Sequence, residues 1–248
     1  MHASQPLAGR VAVVTGAGRG IGRAIANAYA EAGAAVCCLA RTPGEVEAAA
    51  AEIAARGGRA LAAVADVRDA EAVARAFDAA ASAWGGIDLL VANAGVDLAR
   101  GAVDTGDPRI WWETVEVNLL GAYTCARAAI PHLKRRGGGK IITVGSGLGH
   151  RGIAGRSAYA ASKAGLWMFT RVMAQELAPH RISVNELIPG PVLTSIAAAV
   201  DAETRASPTF ATEWVKAPED VVPLALFLAT QPDGGPTAQS FSLLRRDG

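Results

Sequence analysis

Short runs of consecutive apolar residues alternate along the chain with longer stretches of helical period. The runs at 11–15, 35–40, 60–65, 87–91, 140–144, 182–187 and 240–244 are mostly apolar without alternation, which predicts strands buried on both faces. Between them, 21–32, 45–56, 70–84, 110–135, 158–177 and 218–229 predict helices. Gly33, Gly57 and Gly85 follow the first three of these and predict C-terminal stops. Pro218, followed by Glu219 and Asp220, predicts the first turn of the last helix. Strands alternating with helices in this way predict an α/β fold, a doubly wound parallel sheet of seven strands with helices on both faces. No repeat or linker divides the chain, so a single domain over 1–248 is expected. The long irregular stretch 191–217 is expected to be a substrate lid, because such a loop inside a compact domain usually has a function.

Composition narrows the partners. Hydrophobic residues make up 51% of the chain and charged residues 19%, enough for a buried core and too apolar for disorder. Basic and acidic residues number 24 and 23, a net charge of +1, which gives no electrostatic basis for nucleic acid or an anionic membrane. Cys37 and Cys38 sit together in an apolar run and read as small buried hydrophobes; with Cys125 they form a sparse, odd set that suits a reducing compartment. No apolar run reaches membrane-spanning length and the N-terminus lacks a signal-peptide core, so a cytoplasmic protein is expected. His2, His132, His150 and His180 have no metal-ligand spacing, and no metal is expected.

The first strand runs directly into Thr15-Gly16-Ala17-Gly18-Arg19-Gly20-Ile21-Gly22. Glycines at this junction permit a tight turn and a close approach of backbone to a diphosphate, at a helix N-terminus that favours anions. This makes the fold Rossmann-like and implies a dinucleotide. An NAD site usually places an acid at the end of the second strand; here that strand ends Leu39-Ala40-Arg41-Thr42. Arg41 and Arg19 are placed to meet a 2′-phosphate, which predicts NADP(H) over NAD(H), unless both are plain surface arginines. Asp66-Val67 ends the third strand and Asn93-Ala94-Gly95 the fourth, where open α/β sheets build their ligand crevice. Asp66 suits either an adenine amino group or the cap of the following helix.

Tyr159 and Lys163 are four apart in a helical stretch and share one face. A free phenol, with a pKa near 10, is a poor base at neutral pH. An ammonium about 4 Å away at an effective dielectric near 20 favours tyrosinate by roughly 4 kcal/mol, about three pKa units.

The glycine loop, Asn93-Ala94-Gly95, Asn118, Ser146, Tyr159 with Lys163, and Pro189-Gly190 follow one another as in the short-chain dehydrogenase/reductase family, which the chain resembles from about residue 8 to residue 230. The resemblance implies that Ser146 hydrogen-bonds the substrate oxygen, that Tyr159 exchanges its proton, and that Lys163 holds the nicotinamide ribose and lowers the tyrosine pKa. Asn118 would support a water relay to Lys163, and Pro189, Gly190, Val192 and Thr194 would flank the nicotinamide. The implied reaction is hydride transfer between the cofactor and a small ketone or alcohol; the implied assembly is a homo-oligomer, a tetramer being favoured.

Two features depart from the family. The last strand carries Thr237-Ala238-Gln239 in place of a T-G-Q element, and the tail Arg245-Arg246 is basic where family members are acidic. A narrower reading is a 3-oxoacyl reductase acting on an acyl carrier protein, but Pro131 and Gln175 stand where such enzymes tend to place carrier-binding arginines. A rival of another class is a non-catalytic NADP-binding sensor, against which the complete set Asn118, Ser146, Tyr159 and Lys163 argues. Ile196, Val200, Phe210 and Trp214 in the lid either close over an apolar substrate or only pack the lid down. His150 and Arg151 either line the pocket or are plain loop residues.

Overall fold

The computed structural model describes residues 5–194 and 214–244. Seven strands, β1 (Val11–Thr15), β2 (Ala35–Ala40), β3 (Arg59–Val64), β4 (Leu89–Ala92), β5 (Gly139–Val144), β6 (Ile182–Ile188) and β7 (Ser240–Ser242), form one sheet in the order β3-β2-β1-β4-β5-β6-β7. Every pairing is parallel, the expected doubly wound fold. Every residue of β1, β4, β5 and β6 is buried, which is why these strands read as mostly apolar runs without alternation. The edge strands β3 and β7 are more exposed.

The helices are α1 (Gly20–Glu31), α2 (Pro43–Ala55), α3 (Ala70–Trp84), α4 (Pro108–Val115), α5 (Gly121–Arg135), α6 (Ser157–Leu177) and α7 (Val222–Thr230). Phe77 of α3, Leu133 of α5 and Leu166 of α6 pack one face of the sheet; Tyr29 of α1, Ile53 of α2 and Leu228 of α7 pack the other. Cys37 and Cys38 divide between these two cores because adjacent strand residues point to opposite faces. Burial pushes both thiols, and that of Cys125, up to about 12, so they behave as the small hydrophobes expected. Gly33, Gly57 and Gly85 all have positive φ, as the helix stops require.

Several predicted boundaries move, four of them with a bearing on the site or its frame. The stretch 110–135 is two helices, α4 and α5, joined by a π-helical turn over Glu116–Leu120. β4 begins two residues later than expected; Asp88, just before it, keeps backbone bonds to Val11 and Lys140, and its carboxylate also takes the Val11 amide at 2.8 Å and Arg136 at 3.0 Å. β7 stops at Ser242, and a 3₁₀ turn, Pro218–Val221, precedes α7. Of the expected lid, 195–213 lie outside the described residues, with Ile196, Val200 and Phe210; so do Arg245 and Arg246. Its two ends meet, Val192 pairing with Lys216 in an isolated parallel bridge.

Candidate active site

Between the C-terminal ends of β1 and β4 the chain leaves for opposite faces of the sheet, and a crevice opens there. Thr15 laces its floor together. Its hydroxyl accepts from the Asn93 and Ala94 amides, both at 3.0 Å, while the Asn93 side chain donates to the Thr15 carbonyl at 2.9 Å. The glycine turn rests on that floor. Gly16 and Gly20 have φ of 65° and 56°, the left-handed region, and a Cβ on Gly16 would stand 2.9 Å from Asn93 Nδ2. A Cβ on Gly22 would collide with the Gly16 carbonyl, and one on Gly18 would stand 2.8 Å from Glu45 Cβ.

Above the turn lies a cavity of about 610 Å³, lined among others by Gly20, Ile21, Arg41, Asp66, Gly95 and Thr194. The first turn of α1 has no acidic residue and no side-chain cap, so its amide donors are left for a ligand. This donor set, with the glycine cradle, fits a dinucleotide diphosphate. Arg19 stands 3.6 Å from Glu45 of α2, while Arg41 is exposed at the end of β2. Asp66 binds the Arg68 guanidinium at 2.7 Å; that hydrogen bond, aided by the charges of Arg68 and Arg41, holds its carboxyl below the usual range. The cap of α3 is Asp69, not Asp66. Val67 is buried, packed under Gly121. Pro189 and Gly190 end β6, and beyond the buried Val192 the Thr194 methyl comes within 3.2 Å of where a Gly20 Cβ would be.

The second half of the site stands on β5 and α6. Past Val144 the chain turns through Gly145 to Ser146, whose Oγ accepts from the Leu148 amide at 3.2 Å and opens a 3₁₀ turn. Ser146 also lies close enough to the Tyr159 phenol to favour its ionised form. Lys163, one helical turn beyond Tyr159, donates to the Val144 carbonyl at 2.8 Å. Ser146, Tyr159 and Lys163 therefore meet at the sheet edge that carries the glycine turn.

Asn118 sits in the π-helical turn. Its Oδ1 accepts from the Val96 amide at 2.7 Å, and its Nδ2 donates to the Val96 carbonyl and to Ser162 Oγ at 2.9 and 3.0 Å. A π turn at a functional position is a recurrent device for redirecting one side chain. Here it joins the loop after β4 to the turn of α6 that carries Tyr159.

The source of the tyrosine's perturbation differs from the expectation. Burial raises the Tyr159 phenol above its ordinary value; Ser146 and the charge of Arg156 act the other way. Lys163 approaches the ring face, 5.8 Å from its centroid, because its ammonium is drawn to the Val144 carbonyl. Burial lowers Lys163 itself to about 8, with the Glu186 carboxylate opposing.

Several contributors escaped the motif reading. Arg156, which precedes α6, forms an ion pair with the buried Asp97, which also pairs with Arg100 at 3.2 Å. Glu186, within the wholly buried β6, receives His150 at 3.0 Å, which ties the loop after Ser146 to the sheet. The one available signal was a carboxylate inside an apolar run. Among the described residues no group of three His, Cys, Asp or Glu is placed to hold a metal, and no helix is long and apolar enough to cross a membrane.

The profile of the short chain dehydrogenase family matches residues 10–205. The chain is 37% identical over 235 residues to the short-chain reductase protein NovJ of Streptomyces niveus, covering 91% of this chain and 88% of that one. It is 37% identical over 201 residues to the 3-oxoacyl-[acyl-carrier-protein] reductase FabG of Vibrio harveyi, covering 81% of each. A crystal structure of a putative NAD(P)-dependent gluconate 5-dehydrogenase from Beutenbergia cavernae, with bound NADP, superposes with a TM-score of 0.86 at 40% identity, covering 97% of both chains. With the sheet order, the glycine turn and the Ser146–Tyr159–Lys163 cluster agreeing with these likenesses, the chain belongs to the short-chain dehydrogenase/reductase family of oxidoreductases.

Proposed function

We propose that the protein is an NADP(H)-dependent carbonyl reductase or alcohol dehydrogenase acting on a small ketone or alcohol. The observation that carries this reading is the convergence of Ser146 on Tyr159, one helical turn from Lys163, on the sheet edge that holds the glycine turn. A bound dinucleotide supplies the hydride. Gly16, Gly18, Gly20 and Ile21 would hold its diphosphate, Asp66 and Val67 its adenine, and Asn93, Ala94, Gly95, Lys163, Pro189, Gly190, Val192 and Thr194 its nicotinamide half.

Tyr159 exchanges the proton on the substrate oxygen and Ser146 hydrogen-bonds that oxygen, where alkoxide charge builds during reduction. The raised phenol is protonated at neutral pH, which supports the donor role and hence reduction. Lys163, charged beside the ring, stabilises the tyrosinate left behind. Asn118 keeps the Tyr159 turn in register with the loop after β4.

The preference for NADP(H) rests on Arg41. No carboxylate stands at the end of β2, and Arg19 shares its charge with Glu45, so Arg41 carries most of the discrimination. Pro131 and Gln175 support a free substrate over one tethered to a carrier protein. Leu120, Tyr123, Met168 and Val172 are exposed apolar residues around α5 and α6, which supports a homo-oligomer, a tetramer on the family pattern. Three free, buried cysteines suit the cytoplasm.

The test follows NADPH oxidation and NADP⁺ reduction over a panel of ketones, diketones, 3-oxoacyl thioesters, sugars and steroids. Turnover of at least one free ketone or alcohol is expected. Tight NADPH binding without any turnover would favour the sensor, and turnover confined to carrier-bound thioesters would favour the acyl reductase.

A further inference from the structure

Glu186 has no part in the chemistry above, yet it is 0% exposed in the middle of β6. A carboxylate withdrawn from water needs hydrogen bonds and counter-charge to remain ionised. Its Oε2 has two partners, Ser240 Oγ at 2.6 Å from β7 and His150 Nε2 at 3.0 Å from the loop after Ser146. Its Oε1 has no hydrogen-bond partner among the described residues. That oxygen occupies the space a Cβ on Gly145 would need, so the residue before Ser146 has to be glycine.

The surroundings connect it to the catalytic helix. The loop over 145–150 wraps the carboxylate, with Gly145 against Oε1 and His150 on Oε2. The same loop closes on α6 at Lys163, whose backbone would lie 2.8 Å from a Cβ on Gly149. His150, with its side chain 25% exposed, also packs its ring on Trp167 of α6 at 5.0 Å between centroids. The groups facing Lys163 are Tyr159 from its own helix, the Val144 carbonyl from β5, and Gly95 with Asn118 from the loop and π turn. Arg156 acts on Tyr159 from the start of α6. Glu186, from β6, brings Oε1 against Gly145, the residue after the Val144 carbonyl that holds the ammonium, and its charge acts on Lys163 from there.

We propose that Glu186 is a positioning residue of the catalytic centre: anchored by Ser240 and His150, its buried carboxylate keeps Lys163 charged beside Tyr159. The catalytic consequence rests on the hydride-transfer reading above; the coupling of Glu186 to Lys163 does not. Without the carboxylate, burial acts unopposed on Lys163, which then loses its proton at lower pH and no longer stabilises the tyrosinate.

The chain has only four lysines, so ¹³C-lysine labelling gives a resolvable set of side-chain resonances, with Lys163→Met assigning the one of interest. The intact protein is titrated without added substrate, as wild type, as the near-isosteric Glu186→Gln, and as Glu186→Met. The methionine variant guards against misfolding, because apolar replacement of a buried ion is often tolerated. In either folded variant the Lys163 midpoint should fall by about one pH unit or more from its native value. The alkaline limb of kcat should move down with it, and kcat at pH 8 should drop about fivefold or more. An unmoved midpoint in a folded variant overturns the proposal, and so does a shifted midpoint with an unchanged kcat profile. A shifted midpoint in a protein whose wild type turns over nothing would sink the hydride-transfer reading and leave the charge coupling standing.

Discussion

Replacing Lys163 by methionine should stabilise the protein while removing its activity. Burial brings the Lys163 pKa from 10.5 to about 8, and each unit is worth about 1.4 kcal/mol. Holding the ammonium charged in this site therefore costs about 3 kcal/mol at neutral pH. Methionine has a similar length and no charge, but it forfeits the bond to the Val144 carbonyl, worth about 1 kcal/mol. The net gain is about 2 kcal/mol, or about 4–8 °C in Tm for a chain of this size. The pH dependence is sharper than the magnitude. Below pH 8 the folded and unfolded wild type both hold the proton, and the gap between variant and wild type is constant. Between about pH 8 and 10.5 the unfolded chain keeps a proton that the folded chain has lost, so wild-type stability rises relative to the variant. Urea unfolding of both proteins from pH 7 to 10 measures this directly. A variant no more stable than wild type at pH 7, or a gap that stays flat to pH 10, would refute the reasoning.

Tyr159→Phe should lower kcat about a thousandfold, the size of a lost general acid, while the dissociation constant for NADPH, read by fluorescence titration, changes little. Substantial residual turnover would remove Tyr159 from its role. Arg41→Asp should lower the NADPH/NADH ratio of kcat/KM by about ten- to a hundredfold, the loss of one charge-assisted contact; an unchanged ratio would make Arg41 a surface residue. Thr15→Val keeps the shape of the β1 end but leaves the Asn93 and Ala94 amides without their acceptor, so it should cost about 2–4 kcal/mol in urea unfolding and weaken NADPH binding. Stability within about 0.5 kcal/mol of wild type would show that this hydroxyl is replaceable.

The sheet was legible because its strands are buried on both faces, so Val11–Thr15 and Ile182–Ile188 read as strands without tertiary information. The ends were less legible. The Asp88 carboxylate gathers charges from Arg10 and Arg136, the latter 48 residues away, and no local pattern announces that. The break in the stretch 110–135 was equally hidden. Asn118 sits in that π-helical turn, and its amide is held by the Val96 backbone and Ser162 on two other segments.

Within the site, the residue types, their order and the spacing of Tyr159 to Lys163 were determined by the sequence, because four residues of helix place two side chains on one face whatever surrounds them. So was the glycine turn, whose backbone angles Gly16 and Gly20 alone supply cheaply. Only the tertiary structure decided what those side chains feel. It set the Lys163 ammonium 5.8 Å from the centre of the Tyr159 ring, made Ser146 and Arg156 the groups that oppose burial at Tyr159, and brought Glu186 from β6 to act on the lysine. The physical reason is that spacing fixes direction along one helix, whereas charge and desolvation act through space and depend on every segment folded around the site.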